Sequence, residues 1–314
     1  MKCLICGKEF EKGGVGEYHA VCARRLFGSD NIPTFAYSMD ELNRLAKNLI
    51  TARMSVPGVQ PKLSVHLEKD ASSSRLTLVG LEGNYILKLP TRQYAELTES
   101  EHFAMTLSRE CGIATADFGL VRLENGSLAY LTKRMDRCDG VKHMEDMCQL
   151  TFRRSERKYY GSYEQISKAI RAYSSFALDD TMKLFEIVLF SYVTGNSDMH
   201  LKNFSLIREH NGEWRLSPAY DLVPVKIVLP SDADDLALTL NGGNRHLTEK
   251  DFRAAAFTMR MTEVQYRRTV KRILTPLAAK LDETLDRSFL SAAFRERTAA
   301  FIRDRLAMFG SLWA

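Results

Sequence analysis

The chain has 314 residues, 45% of them hydrophobic and 26% charged, with a formal net charge of +5. These are the proportions of an ordinary globular protein, with length enough for two packed lobes. The longest apolar block, residues 187–190 with Phe185 beside it, is far too short to span a bilayer, and no apolar run follows Met1. No membrane segment and no secretory leader are therefore expected, and the location expected is cytoplasmic. There the six cysteines should be reduced, which favours metal binding or burial over disulfides. The mild positive charge permits an acidic partner such as a nucleotide, tRNA or DNA without requiring one.

Three regions follow in chain order: a cysteine-rich start over 1–45, a strand-rich region over 46–140 and a largely helical region over 141–314. The start carries Cys3-x-x-Cys6, twelve residues, then His19-x-x-Cys22, which is zinc-site spacing with four suitable ligands. The competing reading is a set of scattered reduced thiols in a segment that docks on the rest of the chain. A short helix is predicted over 39–51.

In the second region, 63–67 and 76–79 alternate with period two, and 84–89 reads as a third strand. A helix over 98–111 is predicted from Thr98 as N-cap, Glu101 three residues later and Gly112 as its stop. Segments 119–123 and 128–132 flank Glu124-Asn125-Gly126, a hairpin signal. Helices are then predicted over 163–176 and 181–194. In the second of these Met182, Phe185, Val188, Leu189 and Tyr192 recur at helical spacing and should face a core. A hairpin of 204–207 with 214–216 turns at Asn211-Gly212, and arginine-rich helices follow over 249–257, 262–271 and 275 onward. Arginines at such density read as a solvated face, with nucleic-acid contact as the other option.

The most informative stretch is Gly195-Asn196-Ser197-Asp198-Met199-His200-Leu201-Lys202-Asn203-Phe204, followed by Tyr220-Asp221. It sets an Asp, an Asn five residues on and a second Asp about one hairpin further. Phosphoryl transfer uses such a set: one carboxylate for the attacking hydroxyl, an amide oxygen and a carboxylate for Mg2+. By itself it could also be a polar turn, since Asp and Asn favour turns. Two upstream features add weight. Lys88 lies inside the apolar strand 85–90, where its charge needs an anion unless the strand is an edge and the lysine reaches water. Residues 55–62, Ser-Val-Pro-Gly-Val-Gln-Pro-Lys, form a loop in which Gly58 allows close backbone approach to a phosphate. Asp117-Phe118-Gly119 spells a kinase metal-binding triplet but falls before Asp198 and reads as an ordinary turn; Asp221 stands where a metal-binding Asp belongs.

Together with Ile-Leu-Lys-Leu-Pro at 86–90, Arg-Met-Asp-Arg at 134–137 and Asp-Met-Cys-Gln at 146–149, these motifs resemble the HipA family over about residues 50–310. These are bacterial serine/threonine kinases that serve as toxins of toxin–antitoxin systems. The resemblance implies an α+β, two-lobed protein-kinase-like fold of the HipA/phosphoinositide-kinase type, with a strand-rich N-lobe and a helical C-lobe. With only about fifty residues ahead of Ser55, the chain is similar to the compact HipT branch, in which a separate small protein, HipS, stands in for a missing N-terminal subdomain.

The resemblance also implies residue roles. Asp198 is the catalytic carboxylate, and Asn203 and Asp221 hold Mg2+. Lys88, paired with Glu101, meets the phosphates of ATP, with His200, Lys202 and Tyr220 in the same site. Pro57, Gly58, Val59, Gln60 and Lys62 cover the phosphates, Lys133 and Met135 belong to the segment that meets adenine, and Ser55 is the autophosphorylated serine. Phosphoserine there would bring roughly −1.5 to −2 charges next to the ATP phosphates and expel the loop. Two departures stand out: Lys133 replaces an acidic residue common in the family, and the loop keeps one serine. The implied partners are a helix-turn-helix, HipB-like antitoxin, DNA only through that complex, a HipS-like small protein and a protein substrate of the aminoacyl-tRNA synthetase class. Two alternatives are a small-molecule kinase and a nucleotide-binding pseudokinase or DNA-associated module, the latter disfavoured by intact Lys88, Asp198, Asn203 and Asp221.

Overall fold

The structure is a computed structural model that describes all residues except 11–13, 36, 52–59, 61, 70–73, 80–81, 138–139 and 314. The chain divides into two compact units. One comprises Met1–Phe103, Ala116–Val141 and Arg287–Leu290; the other comprises Ala104–Thr115, Lys142–Asp286 and Ser291–Ala314.

The first unit opens with a small hairpin, β1 (Gly14–Val15) and β2 (Tyr18–His19), then α1 (Ala20–Phe27) and α2 (Met39–Thr51). Its centre is an antiparallel sheet of β3 (Lys62–Lys69), β4 (Ser74–Leu78), β5 (Tyr85–Lys88), β6 (Phe118–Arg122) and β7 (Leu128–Lys133), in the order β4-β3-β5-β7-β6. The alternation read from the sequence is what the strands use: Leu63, Val65 and Leu67 are buried, while His66 and Glu68 face water. Helix α3 (Leu97–Glu110) starts one residue earlier than its expected cap. Thr98 is therefore inside the first turn, where its hydroxyl donates to the Leu128 carbonyl at 3.0 Å. Glu101 reaches Lys88 instead of closing a capping box. Asp117-Phe118-Gly119 is a strand entry, not a turn: Phe118 and Gly119 belong to β6, and Asp117 accepts from Arg25 Nε at 2.7 Å.

The start of the chain covers both edges of this sheet. On β6 the Leu120 amide donates to the Leu4 carbonyl at 2.8 Å; on β4 the Leu76 amide donates to the Thr34 carbonyl at 3.0 Å. Exposed edges invite pairing with other chains, and here each is partly occupied.

In the second unit, β8 (Met144–Asp146), β9 (Ser205–Arg208) and β10 (Trp214–Leu216) form a small sheet in the order β10-β9-β8. β8 was not legible in the sequence, because Met-Glu-Asp carries no apolar alternation; its place is set by pairing with β9. The helices are α4 (Met147–Leu150), α5 (Tyr163–Tyr173), α6 (Ala177–Thr194), α7 (Val225–Val228), α8 (Glu249–Thr258), α9 (Glu263–Arg287) and α10 (Ala292–Ala307). Every residue of α6 from Leu184 to Thr194 is buried, so it is a central helix and not one with a single apolar face, while Met182 is only half-buried. The break expected near residue 272 is absent. α9 runs through Pro276, because Ile273, Leu274, Leu277, Leu281 and Leu285 continue one buried stripe across the position where the ring removes a backbone donor. Among the described residues no helix is long and apolar enough to cross a membrane.

Asp180, fully buried near the start of α6, ties this unit together. Its Oδ2 accepts from the Leu216 amide at 2.7 Å and from Ser174 Oγ at 2.5 Å, joining α5, α6 and the β9–β10 hairpin. Asp180→Ala strands a buried amide and is expected to cost about 2–4 kcal/mol in urea unfolding. Asp180→Asn, which keeps an acceptor oxygen, should recover part of that loss.

Candidate functional site

The loop that carries the polar motif begins where α6 ends. Gly195 adopts a left-handed conformation (φ +76) that closes the helix, and the Asn196 amide returns to the Ser191 carbonyl at 2.7 Å. A side chain at 195 would also meet Phe301 at 2.8 Å. From there the loop is held by its own polar groups. The Asn196 side-chain oxygen accepts from the Asp198 amide at 3.2 Å, and the Asp198 carbonyl accepts from the His200 amide at 2.8 Å and from Asn203 Nδ2 at 2.9 Å. Met199 and Leu201 are fully buried anchors on either side of His200. Asp198 is thus half-exposed on a loop whose neighbours are fixed.

Asn203 spends its amide hydrogens on the Asp198 carbonyl, so its oxygen is the atom it can offer to a cation. Lys202 Nζ donates to Asp146 Oδ2 at 2.6 Å, and Asp146 also caps α4 by accepting from the Gln149 amide. That gives the Asp-Met-Cys-Gln motif a physical meaning: its Asp fixes both a helix start and the lysine of the loop. The Tyr220 hydroxyl meets Ser205 Oγ at 2.7 Å and donates to the Lys202 carbonyl at 2.9 Å, which binds the Tyr-Asp pair to the same loop. The Ala219 amide donates to the Ala114 carbonyl at 2.7 Å just before it. Asp221 then takes φ +59, a conformation that costs most side chains about 1–2 kcal/mol.

Two groups report the field of this loop. His200 is buried, which pushes its pKa down against the opposing pull of Asp198 and Asp221, so the ring is neutral near pH 7. Tyr159, which the sequence reading missed, donates its hydroxyl to Asp198 Oδ1 at 2.6 Å and stands edge-on to His200 at 5.1 Å. Burial, that hydrogen bond and the charges of Asp198 and Asp221 all push its pKa up. Its signal in the sequence was only a tyrosine in a charged stretch, and nothing local shows that it returns to Asp198 across 39 positions.

In the strand-rich unit Lys88 and Glu101 meet at 2.6 Å with both side chains almost fully buried, and the Lys88 ammonium lies 5.4 Å from the Tyr130 ring centroid. Lys88 is in the middle strand of five, so the edge-strand alternative does not hold. Lys62 is directly opposite Lys88 in the register. Gln60 is buried and donates Nε2 to the Leu89 carbonyl at 2.7 Å, which pins one end of its loop. Lys133 ends β7 with its amide on the Asp117 carbonyl, and Met135 follows, half-buried. Ser55, Pro57, Gly58 and Val59 lie outside the described residues, as does Cys138.

The four predicted metal ligands come together: one ligand atom from each of Cys3, Cys6, His19 and Cys22 lies within 4.8 Å of all the others. Hydrogen bonds from Cys22 and Cys6 push the Cys3 thiol far down, and the same contact pushes Cys22 up. Cys111 and Cys148, by contrast, are isolated and buried.

Comparison with known proteins agrees with this arrangement of parts. A family model described as "HipA-like C-terminal domain" matches residues 54–285. A Haemophilus influenzae protein named "Putative kinase" is 34% identical over 55% of this chain and 53% of its own length. "Putative kinase Y4dM" of Sinorhizobium fredii is 31% identical over 74% of this chain and 64% of its own. The chain thus spans about half to two thirds of the length of these relatives. Among solved structures, a Shewanella oneidensis HipA, in a complex with HipB and its operator DNA, superposes with a TM-score of 0.70 at 19% identity, covering 83% of this chain and 70% of that one. The Helicobacter pylori proinflammatory kinase CtkA gives 0.51 at 15% identity, over 77% and 92%. With its motifs in order and the family match running over most of its length, the chain belongs to the HipA family and has its α+β, kinase-like fold.

Proposed function

We propose that this protein is an ATP- and Mg2+-dependent serine/threonine protein kinase, the toxin of a HipA-type toxin–antitoxin system. The observation that carries the reading is the buried Lys88–Glu101 pair. Two buried charges in contact are a poor way to gain stability, but a glutamate that holds a lysine at a fixed place on the middle strand suits a group that must meet phosphate. The loop of the helical unit offers the complement. Asp198, Asn203 and Asp221 present only hard oxygen donors, the set that Mg2+ takes together with substrate phosphates and water. Bound there, Mg2+ would neutralise phosphate charge.

The side chains of the loop have separable tasks on this reading. Asp198 accepts a hydrogen bond from the attacking hydroxyl and orients it. Lys202 is fixed by Asp146 and adds positive charge beside the phosphates. His200, neutral and buried, supports the loop by packing. Tyr159 occupies Asp198 Oδ1, the oxygen that an incoming serine or threonine hydroxyl would use, so acceptor binding exchanges one hydroxyl for another. Ser55 is the proposed site of self-inactivation. The Shewanella HipA bound to HipB and its operator supports a helix-turn-helix antitoxin as partner, with DNA reached through that complex. A HipS-like small protein, a cytoplasmic location and an aminoacyl-tRNA synthetase as target complete the proposal.

Incubation of the purified protein with ATP and Mg2+ followed by mass spectrometry should place phosphate on Ser55, and phosphoproteomics after expression should name the target. Asp198→Asn should lower phosphotransfer by about a thousandfold or more while nucleotide binding persists. Transfer at the wild-type rate by that variant would sink the assignment, and transfer only to a small molecule would move the protein to another class of kinase. Tyr159→Phe removes the competing hydroxyl and should raise kcat/KM for the protein acceptor by about 3–10-fold. A tenfold fall would mean instead that the phenol holds Asp198 in position.

A further inference from the structure

The Cys3-Leu4-Ile5-Cys6 turn sits at a structural junction. The Gly7 amide donates to the Cys3 carbonyl at 2.8 Å, with Gly7 at φ +71, and the Cys3 amide donates to the Lys8 carbonyl at 2.9 Å. This compact knuckle brings Cys6 Sγ to 3.3 Å from His19 Nδ1, and the His19 amide donates to Cys3 Sγ at 3.3 Å. Tetrahedral Zn2+ with sulfur at about 2.3 Å and nitrogen at about 2.0–2.1 Å needs its ligand atoms about 3.5–3.8 Å apart. A cluster already drawn within 4.8 Å, on side chains of one or two torsions, is close to that geometry. Three sulfurs and one imidazole are the donor set of zinc and not of Mg2+ or Ca2+. The amide pointing at Cys3 Sγ is the kind of second contact that holds a thiolate ligand in place.

The residues between the first two ligands make the connection to the rest of the unit. The Leu4 carbonyl accepts from the Leu120 amide on β6, at 2.8 Å. The Ile5 carbonyl is 2.9 Å from His102 Nε2, and His102 is the neighbour of Glu101 on α3. The Ile5 and Leu26 side chains close over Gly119, where an added Cβ would meet them at 2.7 and 2.9 Å. Tyr18, beside His19, donates to the Leu120 carbonyl at 3.0 Å, and the Leu26 carbonyl of α1 accepts from Tyr85 on β5 at 2.7 Å. Leu4, Ile5, Tyr18, Leu26 and Phe27 are therefore buried, and the four-ligand cluster is what can hold the segment to itself.

We propose that Cys3, Cys6, His19 and Cys22 bind one structural Zn2+, and that this metal-held knuckle clamps β6 and the turn of α3 that carries Glu101. A domain of this kind folds on its metal, so the clamp is made when zinc binds and loosened when zinc leaves. Such a clamp would support the Lys88–Glu101 pair whatever that pair binds.

Elemental mass spectrometry on the full-length protein, purified reduced and without chelator, should find about one zinc per chain. Cys22→Ser should weaken retention on dialysis by roughly tenfold or more. Hydrogen exchange, run with and without a zinc chelator, tests the clamp: metal removal should speed exchange at Leu120 and across 97–103, with α5 and α6 unchanged as internal reference. Less than about a tenth of a zinc per reduced chain, with no uptake from added Zn2+, overturns the site, as does stoichiometric iron in its place. Zinc present, but exchange at Leu120 and 97–103 indifferent to its removal, overturns the clamp.

Discussion

The strand-rich unit is organised around a charge that has to be satisfied out of water. Lys88 lies on the middle strand, so neither of its flanks is a free edge and solvent is not available to it. An ammonium in that position requires a fixed counter-charge, and Glu101 supplies it at 2.6 Å. The requirement propagates. α3 has to present Glu101 on the turn that faces β5, which places His102 beside Phe118, with ring centroids 5.5 Å apart, and Phe118 stacks in turn near Tyr130 at 5.9 Å. The cysteine-rich start meets the same helix one residue further along. What packs as a hydrophobic core is thus registered by one ion pair.

The helical unit solves a different problem with different means. A polar loop must hold several oxygen atoms in place with a single 3-10 turn, Leu201–Asn203, as its regular structure. It does so by starting from the buried end of α6 and by making local hydrogen bonds to itself, with Asn203 folded back on the Asp198 backbone and Tyr220 on that of Lys202. Asp146, delivered by a short strand that pairs beside the loop, adds an ionic tie. Local hydrogen bonds and the buried anchors Met199 and Leu201 together fix the loop and leave Asp198 half-exposed.

The sequence disclosed the parts whose physics is local. Strands showed themselves by alternation, α3 by its stop at Gly112, the hairpins by Asn125-Gly126 and Asn211-Gly212, and the metal-ligand cluster by spacing alone. It hid what depends on partners distant in the chain. β8 exists because β9 lies next to it. Tyr159 returns to Asp198 across 39 positions, and no local pattern announces that contact. The break expected between 271 and 275 is absent because the buried residues Ile273, Leu274 and Leu277 carry α9 through Pro276. The family resemblance supplied the order of the motifs, but not the pairing of Lys202 with Asp146.

Asp221 holds a left-handed backbone that glycine would adopt freely. Its place in the chain therefore sets folding against chemistry. A glycine there would relieve backbone strain and remove a carboxylate in the same step. The twist also aims the side chain away from the path an ordinary extended residue would give it. On the proposed reading, that aim is what the strain secures, and the loop is a point where robustness has been traded for reactivity.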